Sequence, residues 1–391
     1  MIKKYKILNI FVITLVFHTF FAATLAKIGF NYSVYIASVL PYLFAFIFIY
    51  FTKTEIKKIS KLSLSQWLGV VLIGFLYSVY TKFVYDDLSY IASFKTFFII
   101  PIQLTILYYL LPTTKSIINF KKTFFLLLYI ISIYSILEWI VRTYNIPLIY
   151  QWLVSYVDII KPGGLNYLPF GGGFGILPLG LFFDMHTASS VITLTGLLAY
   201  VEKKHLLFAV SVVALILSMR YTSIFAFLIG FYILVVPFRF SILTLPLSPA
   251  ILHFKFSGTH SYDTIMSHFL NNFEPIFNSN IMYIIFGHGY TRTSVVETIG
   301  YNEIFFVLFL NAFGFVGILL LLYFMYFLYK SMRVLIINNI VYRYDRLSLA
   351  FIVVFLLGLA HYNLSFLPFV LFIYAFVAYY VRFYNKLQGE I

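Results

Sequence analysis

The chain has 391 residues, 62% of them apolar and 10% charged, with a formal charge of +14 and a mean hydropathy of +0.96. A soluble globular protein carries about 25% charged residues, so this composition excludes a soluble enzyme, a disordered chain and, despite the surplus of cations, a nucleic-acid-binding domain. It predicts an all-α, polytopic integral membrane protein with one membrane domain over 1–391.

A bilayer-crossing helix needs about 20 apolar residues. Apolar runs place spans at 7–26, 31–51, 65–80, 89–111, 123–141, 177–200, 205–219, 221–238, 240–254, 303–329, 347–363 and 366–382, about twelve in all. The start, Met1-Ile2-Lys3-Lys4-Tyr5-Lys6, has the basic character of a signal peptide. The run behind it is long and more spans follow, which predicts a retained anchor. Short basic loops stay in the cytoplasm. With the N-terminus inside, 19 of the 27 Lys and Arg but only 4 of the 13 Asp and Glu fall on the cytoplasmic side. Both termini are then cytoplasmic, and the positive charge is a topology signal that also attracts anionic lipid. The 47 Phe and 34 Tyr fit lipid-facing bulk and interfacial belts, so no aromatic stripe marks a site.

Two connections are long, and both face outward: 142–176 and 255–302. The first holds Gly163, Gly164, Gly171, Gly172, Gly173 and Gly175 without the Gly-Lys-Ser/Thr ending of a phosphate-binding P-loop. The second holds His260, Asp263, His268, Glu274, His288, Arg292 and Glu297, and its run Ile281–Phe286 predicts folding onto the membrane. There is no cysteine, and the eight histidines lack a close-spaced ligand pattern, so neither a metal nor a cofactor is expected.

Between the inside markers Lys204 and Arg239 lie residues 205–238. As one helix they would run ~51 Å, too long for a ~30 Å core, whereas two full spans need about 40 residues. Two short spans are predicted, with the turn Ser218-Met219-Arg220-Tyr221-Thr222-Ser223 below the outer surface. An arginine there is a functional candidate; the alternative is a side chain that snorkels to the lipid headgroups. Glu303 opens the span 303–329 behind Asn302 as N-cap, where the helix dipole keeps a carboxylate ionised for work as a base or cation partner. It is equally readable as a dipole partner alone. Arg292 follows Gly287-His288-Gly289, whose glycines let backbone approach a ligand, and is equally readable as a loop arginine. Glu138 and Arg142, four apart, are expected to pair on one helix face. Asp184 and His186 lie near the outer end of the span 177–200, where a lone histidine is more often structural than catalytic. Ser189, Ser190 and Ser223 have no base in recognisable reach and read as helix-contact residues.

Four segments carry a family resemblance. Gly180-Leu181-Phe182-Phe183-Asp184-Met185-His186 resembles a glycine-leucine-phenylalanine stretch before a central span. Ser218–Ser223 resembles a serine-arginine-threonine turn, and Phe286-Gly287-His288-Gly289-Tyr290 a glycine-rich turn closing a large outer loop. Glu303-Ile304, nine residues and Gly314-Phe315-Val316-Gly317 keep the spacing of a ligase histidine motif, with Glu303 in place of the histidine. In this order they resemble the bacterial O-antigen polymerases (Wzy-type) of the O-antigen polymerase/ligase superfamily, over roughly residues 120–381.

The resemblance implies a glycosyltransferase of the inner membrane, working on the periplasmic face. It would join undecaprenyl-diphosphate-linked oligosaccharide units, as donor and acceptor, without a nucleotide sugar, and a chain-length regulator is a further candidate partner. Arg220 and Arg292 would stabilise the leaving diphosphate, and Glu303 would take the acceptor proton. His186, His288, Arg142 and Asp184 would face the substrate. Two other readings remain at this point: a ligase joining finished polymer to lipid, and a transporter or flippase of lipid-linked sugars. The absence of an evident internal repeat and the gathering of charges at the outer ends disfavour the transporter.

Overall fold

The computed structural model describes residues 4–30, 39–47, 99, 102–111, 113–144, 146–147, 178–182, 185–218, 220–237, 239–241, 267, 280–287, 310, 314–319, 322, 326, 336–337, 340–341, 343–360 and 368–389. These residues are almost wholly helical. The exception is a two-residue antiparallel ladder, β1 (Ile336–Ile337) with β2 (Ile340–Val341). The helices described over their full length are α1 (Lys4–Val16), α2 (His18–Lys27), α3 (Thr114–Thr143), α4 (Met185–Val201), α5 (His205–Leu217), α6 (Tyr221–Val235), α7 (Ile281–Phe286), α8 (Arg343–Ala360) and α9 (Pro368–Gly389), and further helical residues lie at 39–47, 102–110 and 314–319. Among the described residues one helix, α3, is long and apolar enough to cross a membrane, and α1 with α2 would make a second if the bent pair is one span. Four other apolar stretches, in α4, α5, α6 and α9, are shorter.

The chain divides into two compact units, Met1–Lys57 with Ile102–Phe227 and Leu367–Phe376, and Lys58–Pro101 with Leu228–Phe366 and Val377–Ile391. In the first, α3 is the frame. It begins nine residues before the apolar run from 123. Thr113 accepts from the Ser116 N–H at 3.3 Å, while the Ser116 hydroxyl accepts from the Thr113 N–H at 3.2 Å. This reciprocal cap fixes the start at Thr114 although Lys115, Lys121 and Lys122 follow. From Lys121 to Arg142 the helix rises about 32 Å, close to the thickness of a hydrocarbon core.

The expected first span, 7–26, is broken: α1 and α2 meet at 64° around Phe17. No proline is involved. The His18 ring Nδ1 lies 2.9 Å from the Leu15 carbonyl, a side-chain bond inserted into the helix ladder at the break.

Packing within this unit is aromatic on one side of α3 and small-residue on the other. Phe120 and Phe124, one turn apart, meet Phe372 and Phe376 of α9, with ring centroids as close as 4.7 Å for Phe124 and Phe376. Toward α5, the Ser132 and Ser211 hydroxyls are 3.3 Å apart. In α4 every side chain from Thr187 to Ala199 is buried except for the glycine at 196, which has none. A Cβ at Gly196 would come within 2.8 Å of the Phe227 ring, so α6 packs close here because position 196 is bare. Two short helices do lie where the pair of spans was predicted, α5 and α6, 13 and 15 residues long, each shorter than a membrane span requires.

In the second unit, Arg346 of α8 donates from Nη1 to the carbonyls of Leu234 and Val236, both at 3.2 Å. A cation thus sits on the negative end of α6, where the last carbonyls lack helical partners. Tyr344 and Tyr380 pack edge to face, with centroids 5.3 Å apart. The backbone at Gly314 (φ +58°) lies against the last turn of α7, where a Cβ would be 2.5 Å from the Ile285 carbonyl oxygen. The Gly-x-x-Gly segment and the helix leading into Gly287 are therefore packed together, two of the four segments that carry the family resemblance.

Candidate functional site

The described charged groups of α3 and the α4–α5 connection lie at the two ends of the α3, α4, α5 bundle. At one end Lys121 Nζ meets Glu202 Oε2 at 2.6 Å. At the other lie Glu138 and Arg142, the start of α4 and the α5–α6 turn.

Glu138 is 4% exposed and Arg142 2%. Arg142 Nη1 donates to Glu138 Oε1 at 3.3 Å, so the expected pair forms across one turn of α3. The sequence gives no sign of the stronger contacts of this carboxylate. Oε1 accepts the Leu179 N–H at 2.8 Å and Oε2 the Gly180 N–H at 2.7 Å. The carboxylate binds the backbone just ahead of the 3-10 turn Gly180–Phe182 to α3. Thr19 of α2 holds the other side of that turn, donating to the Leu181 carbonyl at 2.8 Å. Gly180 is required: its φ is +67°, and a Cβ would lie 2.5 Å from Ala188 Cβ. Arg142, expected to face the substrate, is enclosed and turned toward Glu138. It serves the anchoring of this turn.

The turn delivers the chain to α4, with His186 in its first turn. The imidazole meets the guanidinium of Arg220, with Nη2 2.9 Å from Nδ1 and in contact with Nε2 as well. A guanidinium only donates, so of the two contacted imidazole nitrogens the one without a proton accepts from it. Arg220 sits between α5 and α6, and its carbonyl accepts the Ile224 N–H at 2.9 Å, which makes it the residue that opens α6. Its charge lies at the positive end of that helix. Both His186 and Arg220 are half-buried. A cation at a helix start, partly open and ringed by protein, is suited to an anionic oxygen.

The hydroxyls nearby serve packing. Ser189 and Ser190 donate to the His186 carbonyl at 3.1 and 2.7 Å. Ser223 donates to Ser189 Oγ at 2.9 Å, and Thr193 to the Ser223 carbonyl at 3.2 Å. They tie α4 to α6 and hold His186 and Arg220 at a common level.

Asp184, His288, Arg292 and Glu303 lie outside the described residues, as do most of the loops 142–176 and 255–302. Of the residues singled out from sequence, the structure brings together His186 with Arg220 and Glu138 with Arg142. Their pairing partners are 34 and four positions apart, so only the second was readable from spacing. No group of three potential metal-ligating residues occurs among the described residues. Comparisons of the chain with protein-family models, with curated proteins and with solved structures give no match.

Proposed function

We propose that the chain is a glycosyltransferase of the bacterial inner membrane that polymerises undecaprenyl-diphosphate-linked oligosaccharide units on the periplasmic face. It crosses the bilayer about twelve times with both termini in the cytoplasm. The observation that carries the reading is the half-buried Arg220 at the head of α6, with His186 against it, at the end of the bundle opposite Lys121 and Glu202.

The acceptor hydroxyl oxygen attacks the anomeric carbon of the donor sugar. The bond from that carbon to the diphosphate oxygen breaks, and undecaprenyl diphosphate leaves with the electron pair. The hydroxyl proton passes to a base. Negative charge grows on the leaving oxygen, and a preplaced cation stabilises it most where water is thin. Arg220 supplies that cation, and its planar fork matches two phosphate oxygens. His186 presents a lone pair to the guanidinium and orients it. Glu303 as base and Arg292 as second cation enter on the sequence alone. A carboxylate at the position of the ligases' histidine favours polymerisation over ligation.

The test is glycan length. Arg220→Ala is expected to leave single repeat units on the surface, sized on a gel, while the protein still inserts. A normal polymer ladder from that variant would remove Arg220 from the mechanism. Glu303→Gln is expected to halt chain growth equally. If the amide sustains polymerisation, the proton goes elsewhere.

A further inference from the structure

The end of the bundle opposite Arg220 carries a second feature. Lys115, Lys122, Lys203, Lys204 and His205 are exposed, and Lys121 is half-buried. The one carboxylate among them, Glu202, is engaged by Lys121 at 2.6 Å. Lys121 and Lys204 converge on the same ring: their Nζ atoms lie 5.9 and 6.0 Å from the Phe125 centroid. The buried ring thus gathers two ammonium groups at one place, and among the described residues the carboxylate there is taken up by Lys121.

Lys203 adds an independent observation. It is the only non-glycine residue at positive φ (55°) among the described residues. Its N–H bonds the Tyr200 carbonyl at 3.2 Å and the Lys204 N–H bonds the Ala199 carbonyl at 2.9 Å, the helix-ending arrangement in which this position is usually glycine. A lysine there accepts backbone strain and in return aims a cation out of the turn between α4 and α5.

What surrounds these cations decides the ligand. On α3, Lys115 and Lys122 continue the exposed row Ile118, Leu126, Ile130, Ile133 and Leu137, spaced three or four apart. On α5, Lys204 and His205 abut the exposed row Leu206, Val213 and Ile216. A site for a soluble polyanion would be bordered by polar surface. Here Lys115 and Lys122 stand at and within the first turns of one apolar row and Lys204 at the start of the other, as headgroups stand where acyl chains begin.

We infer that Lys115, Lys122, Lys203 and Lys204 form a binding site for anionic phospholipid, with the lipid phosphodiester among the ammonium groups and its acyl chains along the exposed rows of α3 and α5. The site lies apart from the transfer chemistry and depends only on the chain crossing a bilayer. Each lysine near an anionic surface contributes about fivefold in affinity.

The experiment uses the full-length protein in nanodiscs of phosphatidylcholine with a minority of phosphatidylglycerol. After mild detergent extraction, the retained lipid is counted by native mass spectrometry. Wild type is expected to enrich phosphatidylglycerol. The combined variant Lys115→Gln, Lys122→Gln, Lys203→Gln, Lys204→Gln is expected to lose about tenfold or more of that preference. The same four positions changed to Arg should keep it, which separates lost charge from a lost fold. Equal phosphatidylglycerol retention by wild type and the Gln variant overturns the site. Displacement of the lipid by an equal concentration of soluble inorganic polyphosphate overturns the assignment to lipid.

Discussion

The carboxylate of Glu138 gives the sharpest quantitative expectation. It accepts three hydrogen bonds while 4% exposed, two of them from backbone N–H groups of a separate segment. In Glu138→Ala the Arg142 guanidinium stays buried without its carboxylate. Breaking a buried ion pair from one side costs about 3–5 kcal/mol. The N–H groups of Leu179 and Gly180 also lose their acceptor, each worth about 1 kcal/mol or more. The expected loss is therefore about 5 kcal/mol or more. Arg142→Ala differs. Its 3.3 Å contact is long beside the 2.7 and 2.8 Å bonds, and the carboxylate left behind keeps both backbone donors. That loss should be about half as large, near 2–3 kcal/mol. The double variant Glu138→Leu with Arg142→Met should recover part of it, because no unpaired charge remains. Unfolding of the purified protein in mixed micelles of increasing sodium dodecyl sulfate measures all three, and the double-mutant cycle gives the coupling. If Arg142→Ala destabilises as much as Glu138→Ala, the carboxylate is not the anchor of the 178–182 segment.

Two further changes test the packing. Gly180→Ala meets both a left-handed backbone and an Ala188 Cβ at 2.5 Å, so it should destabilise by about 2 kcal/mol or more, and Ala188→Gly in the same chain should restore only the steric share. Arg346→Gln removes the cation bonded to the Leu234 and Val236 carbonyls and should cost about 1 kcal/mol, read as faster hydrogen exchange at the end of α6.

Within the described residues, hydropathy was a good guide to where apolar helix occurs and a poor guide to where helix begins; the expected span 65–80 and most of 31–51, 240–254 and 303–329 lie outside them. It started the span at 123 because Lys121 and Lys122 read as loop, yet the Thr113–Ser116 cap carries the helix back through them. It ran straight through Phe17 because nothing in the residues 7–26 marks a break, and the bond from His18 to the Leu15 carbonyl is a matter of rotamer. The length of 205–238 did dictate two short helices, since no other division fits the chain between its charged markers. At the site, the pairing of Glu138 with Arg142 follows from a spacing of four. The pairing of His186 with Arg220 depends on α4 and α6 lying side by side, which the bare Gly196 permits and no local pattern announces. The hold of Glu138 on Leu179 and Gly180 is likewise tertiary, reaching 41 and 42 positions along the chain.

Under the proposed membrane-spanning reading, the length of α3 between its charged ends has a consequence for the lipid around it. Lysines fix one end, and the anchored turn at Glu138 fixes the other, so the helix behaves as a gauge of fixed reach. A bilayer thicker than that gauge must thin locally around the bundle, and a thinner one must thicken or let the bundle tilt. The membrane therefore adapts to this protein more readily than the protein adapts to the membrane.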